Sequence, residues 1–213
     1  MINADFHIHT CLSKCSVLKP NEIVELALKK KLDVIAITDH NNIKGAEIVK
    51  KIAKNKILVI KGVEIKTYEG EILILNPSKV YKGNLIEVCE EAIKDNAIII
   101  APHPFDLMRN SIRDNIITIS KYLSAIEIFN SRAIFQMFNK KAMETAKKLK
   151  IPGIVGSDSH TKYEIGRVKN IFDCEKKEEE IFEKLRRGEF KIFYRKSPAW
   201  VHTVAKFSKF IKI

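Results

Sequence analysis

No run in this sequence reaches the roughly 18 uncharged apolar residues that a membrane-spanning helix needs, so no membrane span is expected. The opening residues, Met1-Ile2-Asn3-Ala4-Asp5, lack the basic and apolar regions of a signal peptide, and a cytoplasmic location is the expectation. Internal repeats and low-complexity linkers are also missing, which points to a single domain for 213 residues. Cysteine is scarce: Cys11, Cys15, Cys89 and Cys174 form no CxxC pair, which excludes a zinc ribbon and favours thiols over a disulfide framework. Arginine is scarce as well, with seven among 38 basic residues, so the net charge of +12 is mainly lysine. Such a field favours anionic partners such as nucleic acid, nucleotides or phosphate esters. Lysine- and glutamate-rich surfaces are equally typical of thermophile proteins, so charge alone leaves the partner open.

What is present is an alternation. Short runs rich in Ile and Val occur at 2–8, 33–38, 57–63, 71–75, 97–101, 125–129 and 153–155, as expected of strands buried on both faces. Amphipathic stretches lie between them at 20–31, 45–54, 84–96, 111–123 and 133–150. Strands alternating with helices imply parallel pairing through right-handed crossovers, either as a seven-stranded (β/α) barrel or as an open doubly wound sheet. Further runs at 168–172 and 190–194 flank a helix at 175–187. The expected division is a barrel domain over 1–196 and an amphipathic helix over 197–213, packed on the barrel or serving an oligomer interface.

Histidine is rare, yet five of the six follow strand ends. His7 and His9 close the first run; Asp39 and His40 follow the second; Glu64 follows the third; His103 follows the fifth; Asp158 and His160 follow the seventh. Strand ends converge at the C-terminal mouth of a barrel, where active sites sit. A single histidine at a strand end is usually structural. So many costly polar groups at one mouth make sense when metal ions pair with them. His7 and His9, two residues apart on an extended strand, project to one side and can chelate one ion.

Asp5-Phe6-His7-Ile8-His9-Thr10, Thr38-Asp39-His40-Asn41, Gly62-Val63-Glu64-Ile65, Pro102-His103-Pro104-Phe105 and Gly156-Ser157-Asp158-Ser159-His160 occur in an order that resembles the PHP (polymerase and histidinol phosphatase) family, from residue 5 to about residue 167. The resemblance implies a distorted seven-stranded TIM-like barrel carrying two or three manganese, iron or zinc ions. It also implies hydrolysis of a phosphate ester (a nucleotide, a nucleic-acid end or a small phosphorylated metabolite) through a metal-bridging hydroxide. By the same resemblance, His7, His9, Glu64 and Asp158 would hold a first metal, Glu64 would bridge to a second held by His103, and His40 and His160 would hold a third. Asp39 would support His40 or bind that metal. The chain departs from the pattern at Lys14-Cys15 and at Asn130, where relatives carry further ligands, so two metals are expected unless Cys15 or Asp39 completes a third site.

Asp158 and a histidine of the mouth, with His160 as the named partner, are the expected proton carriers. Arg109, Arg132 and Arg167 each follow a mouth motif and offer the forked donors that suit a phosphoryl group. Arg186, Arg187 and Arg195 are expected at the surface, and His202 as a surface or packing residue. Histidinol phosphatase activity ranks below a nucleotide or nucleic-acid phosphoesterase because the chain is compact. A metal-dependent amidohydrolase ranks lower still. From a different class, a non-catalytic RNA-binding subunit resembling the ribonuclease P barrel protein would suit the basic charge.

Overall fold

Continuous apolar sequence translates into strands covered on both faces. Every residue of β2 (Val34–Ile37), β4 (Glu71–Leu75), β5 (Ile98–Ala101) and β6 (Ala125–Asn130) is buried in the computed structural model, which describes residues 1–204. β1 (Ile2–Ile8), β3 (Leu58–Lys66) and β7 (Gly153–Gly156) complete the set anticipated from the apolar runs. The helices start and stop on local chemistry. α1 (Pro20–Lys29) has proline at its first position, and α2 (Lys44–Ala53) ends on Lys54 in the left-handed conformation. In α3 (Leu85–Lys94), the Asn84 side chain accepts from the amides of Ile86 and Glu87, and Glu87 caps in return. α5 (Gln136–Leu149) follows β6, whereas residues 111–123 form only the short α4 (Asn115–Thr118) and one further turn in place of the anticipated helix.

β8 (Val168–Phe172) and β9 (Lys191–Tyr194) join the same sheet, giving nine strands in the order β7-β6-β5-β4-β3-β2-β1-β8-β9. The expectation of seven parallel strands is therefore corrected. Only four residues, 67–70, separate β3 from β4, too few for a crossover, so these two strands pair antiparallel. β4 and β5 are antiparallel as well, and so are β1 with β8 and β8 with β9. One consequence matters for the site: Glu71, the first residue of β4, pairs with Lys66 and lies at the mouth, not at the floor.

Alternate residues of the strands, including Ala4 and Phe6, Val34 and Ala36, Leu73 and Leu75, and Ile98 and Ile100, form one interior cluster. Ile181, Phe182 and Leu185 of α6 (Glu178–Arg187) join this cluster, so α6 plugs the floor and leaves the mouth as the open end. The sheet nearly closes. Ser159, just past β7, donates its amide to His7 O at 3.2 Å and accepts from His9 N at 3.0 Å. Lower down, the fully buried Asn170 side chain takes the place of a peptide group. It accepts from Val155 N at 3.0 Å and donates to Val155 O at 2.8 Å and Ala4 O at 3.3 Å. Asn170→Leu leaves those groups buried without partners and is expected to cost about 2–4 kcal/mol, read as a lower urea midpoint at unchanged m-value.

No helix among the described residues is long and apolar enough to cross a membrane. The amphipathic helix anticipated over 197–213 falls mostly outside the described residues. Its beginning docks on the barrel: Ser197 N donates to Ser131 O at 2.7 Å, Val201 is fully buried, and the Trp200 and Tyr163 rings meet edge-on at 4.6 Å.

Candidate metal centre

Four side chains from three places on the sheet surround one point at the mouth. His7 and His9 lie on the same side of β1, Glu64 lies near the end of β3, and Asp158 follows β7, each at most 1% exposed. His7 Nε2 and His9 Nε2 are 3.1 Å apart. Glu64 Oε2 lies 3.5 Å from the first and 3.3 Å from the second. Asp158 Oδ1 lies 3.6 Å and 3.4 Å from the same two nitrogens. Donor atoms about 2.1 Å from a tetrahedral ion stand about 3.4 Å apart, so this spacing fits a single cation at the centre. Asp158 Oδ1 is buried and makes no hydrogen bond, an unsatisfied acceptor that a cation would satisfy.

Two further groups share these residues. Glu64 Oε1 lies 3.1 Å from His103 Nε2, and Glu71 Oε2 stands 4.0 Å from that nitrogen, so Glu64, Glu71 and His103 could hold an ion beside the first. His9, His40 and His160 form another metal-capable group. His160 donates Nδ1–H to its neighbour Asp158 O at 2.7 Å, which leaves Nε2 as the ring's acceptor, 3.1 Å from Cys15 Sγ. Cys15 itself is not among the metal-capable groups.

The charges are mutually consistent. Burial opposes ionisation of Asp158, but Arg109 and His7 hold its carboxyl well below the usual range. Burial likewise opposes Glu64, and His7 and His40 hold it low. Burial pushes His40 down to about 4 and, with Arg132 and His9, keeps His160 well below the usual range, so both imidazoles keep a free lone pair. Burial and the Glu64 charge raise the Glu71 carboxyl to about 7. Against burial, the carboxylate charges, Asp158 and Glu64 foremost, hold the His7, His9 and His103 imidazoles above the usual range, so a divalent ion bound there would displace protons from them. His103 and Asp158 also adopt positive φ, 29° and 52°, a backbone strain that commonly marks functional positions.

A second layer orients the ligands. Glu127 Oε1 accepts from His7 Nδ1 at 3.0 Å, and Oε2 accepts from His103 N at 2.7 Å and Asn130 Nδ2 at 2.9 Å. One carboxylate thus sets the tautomer of His7 and the backbone turn at His103. Gly156 packs against it, and a β-carbon there would collide with the Glu127 carboxylate. Glu127→Ala is expected to weaken metal affinity about 10–100-fold in a chelator competition. Unaltered affinity would remove Glu127 from the centre.

The remaining anticipated residues divide. Asp39 accepts from Thr10 N at 2.8 Å, Thr10 Oγ1 at 2.7 Å and Ser13 Oγ at 2.5 Å, and Ser13 Oγ accepts from His40 N at 3.1 Å. Asp39 thereby supports His40 through Ser13 and is absent from the metal-capable groups. Asn130 Nδ2 donates to Glu127 Oε2 and, at 3.2 Å, to Asp158 Oδ2. Arg109 Nη1 pairs with Asp158 Oδ2 at 2.5 Å, and Arg132 Nε lies 3.0 Å from Glu164 Oε1. Both arginines line a cavity of about 490 Å³ with Cys15, His40, Glu71 and His160. Arg167 does not. The chain turns away at Gly166 (φ 78°), and Arg167 donates instead to Tyr163 O and Lys196 O on the barrel flank, in a separate cavity with Lys29 and Lys162.

Glu71 and Glu127 are the residues that the sequence reading passed over, and His202 is one that it placed at the surface or in packing. Glu71 was hidden by the reversed strand direction and Glu127 by lying inside β6, three residues before its end. His202 lines the same cavity as Arg109 and Arg132, on a segment far from any strand-end motif.

The comparisons agree with this architecture. The PHP domain matches residues 5–148, and a PHP-associated region, PHP_C, matches 136–190. An uncharacterized protein of Methanocaldococcus jannaschii is 35% identical, over 78% of this chain and 68% of its own. A protein of Thermoanaerobacter pseudethanolicus named "probable phosphatase" is 28% identical, over 76% of this chain and 81% of its own. A crystal structure from Bifidobacterium adolescentis, provisionally named a metal-dependent phosphoesterase, superposes with a TM-score of 0.64 at 16% identity, over 87% of this chain and 96% of that one. With the domain match spanning the strands from β1 to β6 and the helix after them, the chain belongs to the PHP domain family.

Proposed function

We propose that this protein is a metal-dependent phosphoesterase that hydrolyses a nucleotide, a nucleic-acid end or a small phosphorylated metabolite. The observation that carries this reading is the single cavity on which His40, Glu71 and His160 of the metal-capable groups converge with Arg109 and Arg132. The names of the Thermoanaerobacter and Bifidobacterium relatives point the same way. His7, His9, Glu64 and Asp158 would hold one divalent ion, and Glu64, Glu71 and His103 a second. Bound manganese, iron or zinc supplies an activated water and neutralises charge on phosphoryl oxygens.

The chain's own residues do the rest. Arg109 and Arg132 present forked donors to the phosphoryl oxygens and fix the phosphorus over the cluster. Their partners Asp158 and Glu164 hold the two guanidinium groups in place before substrate arrives. Burial of the centre keeps bulk water away from its carboxylates and strengthens each charge interaction.

The test is a turnover screen with added Mn²⁺, Fe²⁺ or Zn²⁺ against nucleotides, 3′,5′-bisphosphates, histidinol phosphate and short RNA. Turnover is expected with at least one ester and is expected to vanish on chelation. Failure with all of them sinks the reading. Metal-independent RNA binding with a steep salt dependence would instead favour the non-catalytic RNA-binding barrel.

A further inference from the structure

His202 stands apart from the other histidines. His7, His9, His40, His103 and His160 all belong to metal-capable groups; His202 belongs to none of them, yet it lines the cavity above them. The segment carrying it is anchored, not draped. Besides the Ser197 amide bond to Ser131 O, the Ser131 and Ser197 hydroxyls meet at 2.9 Å, Lys196 Nζ donates to Ile134 O at 2.8 Å, and Val201 is buried. These contacts bring a residue from beyond β9 to the wall of the cavity that Arg109, Arg132, Glu71 and His160 also line.

We propose that His202 hands a proton to the oxygen that leaves the phosphorus. This inference rests on the phosphoesterase reading and supplies what the cluster alone lacks, a donor on the leaving-group side. Around the cavity, Asp106 pairs with Arg109, Cys15 Sγ lies against His160 and Lys66 is exposed, while the half-buried His202 ring bonds the Arg132 backbone and keeps a second ring nitrogen for substrate. In the step itself, oxygen from a deprotonated water bonds phosphorus while the ester P–O bond breaks. The electron pair of that bond stays on the leaving oxygen, the imidazolium proton moves onto it, and an alcohol, inorganic phosphate and neutral His202 result. Solvent then reprotonates the imidazole.

The charges facing His202 suit a proton taken up together with substrate. Partial burial, then Arg132 after β6 and Arg109 after β5, push the imidazole down, while a hydrogen bond to the Arg132 backbone and then Asp158 after β7 pull it up. His40, Lys66, Glu71 and His160 complete the wall. A phosphoryl dianion between the arginines and His202 offsets both cations and favours the imidazolium.

The discriminating experiment compares His202→Gln with wild type on two esters, glycerol 1-phosphate and 4-nitrophenyl phosphate, in the metal-loaded enzyme. An alkoxide needs the proton and a nitrophenolate scarcely does. We expect kcat to fall about 10²-fold with the alkyl ester but less than tenfold with the aryl ester, and the alkaline limb of the alkyl-ester pH profile to disappear. Equal losses on both esters would make His202 a wall residue and overturn the proposal. Independently of turnover, an NMR titration of the His202 ring in zinc-loaded protein should show its pKa rising when inorganic phosphate is added. A wild type inert to every ester would sink the phosphoesterase reading. The titration would still decide this one, since an imidazole indifferent to phosphate overturns it.

Discussion

Glu64→Ala is expected to empty the centre and to lower kcat/KM by about 10³-fold or more, since each 1.36 kcal/mol is tenfold and bound ions supply several kcal/mol of charge stabilisation. Glu64 is shared by two of the metal-capable groups. Glu64 Oε2 lies within 3.5 Å of His7 Nε2, 3.3 Å of His9 Nε2 and 3.2 Å of His40 Nδ1, while Oε1 lies 3.1 Å from His103 Nε2. Removing it deprives two metal-capable groups of their shared anion at once. Imidazoles packed this closely without the carboxylate repel any second positive charge. His9→Ala and Asp158→Ala each take one ligand from the first position and should also abolish turnover. Metal analysis of the purified variant gives the direct reading, with less than one ion per chain expected against the two proposed for the wild type. Glu64→Gln keeps the side-chain volume and separates metal loss from misfolding. Full metal content in Glu64→Ala would place the centre elsewhere.

The candidate ligands were legible because a period-two strand must send His7 and His9 to one side, and because costly polar groups at successive strand ends need a common partner. Their meeting followed from strand order, which the alternating apolar runs reveal. The direction of β4 was not legible from that alternation alone. The gap between the two apolar runs, 64–70, is too short for a crossover and so favours antiparallel pairing, which is the signal that would have brought Glu71 to the mouth. Glu127 carried no comparable signal. Inside a buried strand, a lone carboxylate declares itself only when the imidazole it serves, His7, is seen 3.0 Å away. Arg167 shows the converse failure. It follows the His160 motif about as closely as Arg109 follows that of His103, but the left-handed turn at Gly166 sends it to the flank. Sequence proximity to a motif places a backbone; only the turn that follows decides where the side chain goes. His202 depends wholly on how residues 195–201 dock, through Arg195 N to Arg167 O and the Ser131–Ser197 contacts, which no local pattern announces.

Arg109→Ala is expected to lower kcat/KM by about 10²–10³-fold while leaving both ions bound, the mark of a lost transition-state contact rather than a lost ligand. Arg109 is held on two sides, by Asp158 Oδ2 at 2.5 Å and by Asp106 Oδ2 at 3.6 Å, so its fork reaches the cavity already aimed. The pair with Asp158 also leaves that residue's other oxygen, Oδ1, directed at His7 and His9, which lets one carboxylate serve the first candidate metal position and the arginine proposed to bind phosphate together. Asp158 keeps cationic partners in the variant once the ions are bound, so the fold and the metal content should persist. Arg109→Lys is the sharper probe. Lysine restores the charge but not the planar pair of donors, and recovery of less than a tenth of the lost activity is expected if bidentate contact is what matters. Weaker competitive inhibition by inorganic phosphate should accompany the loss. Activity fully restored by lysine would reduce Arg109 to a point charge. Loss of metal from Arg109→Ala would reassign it to holding Asp158 in place.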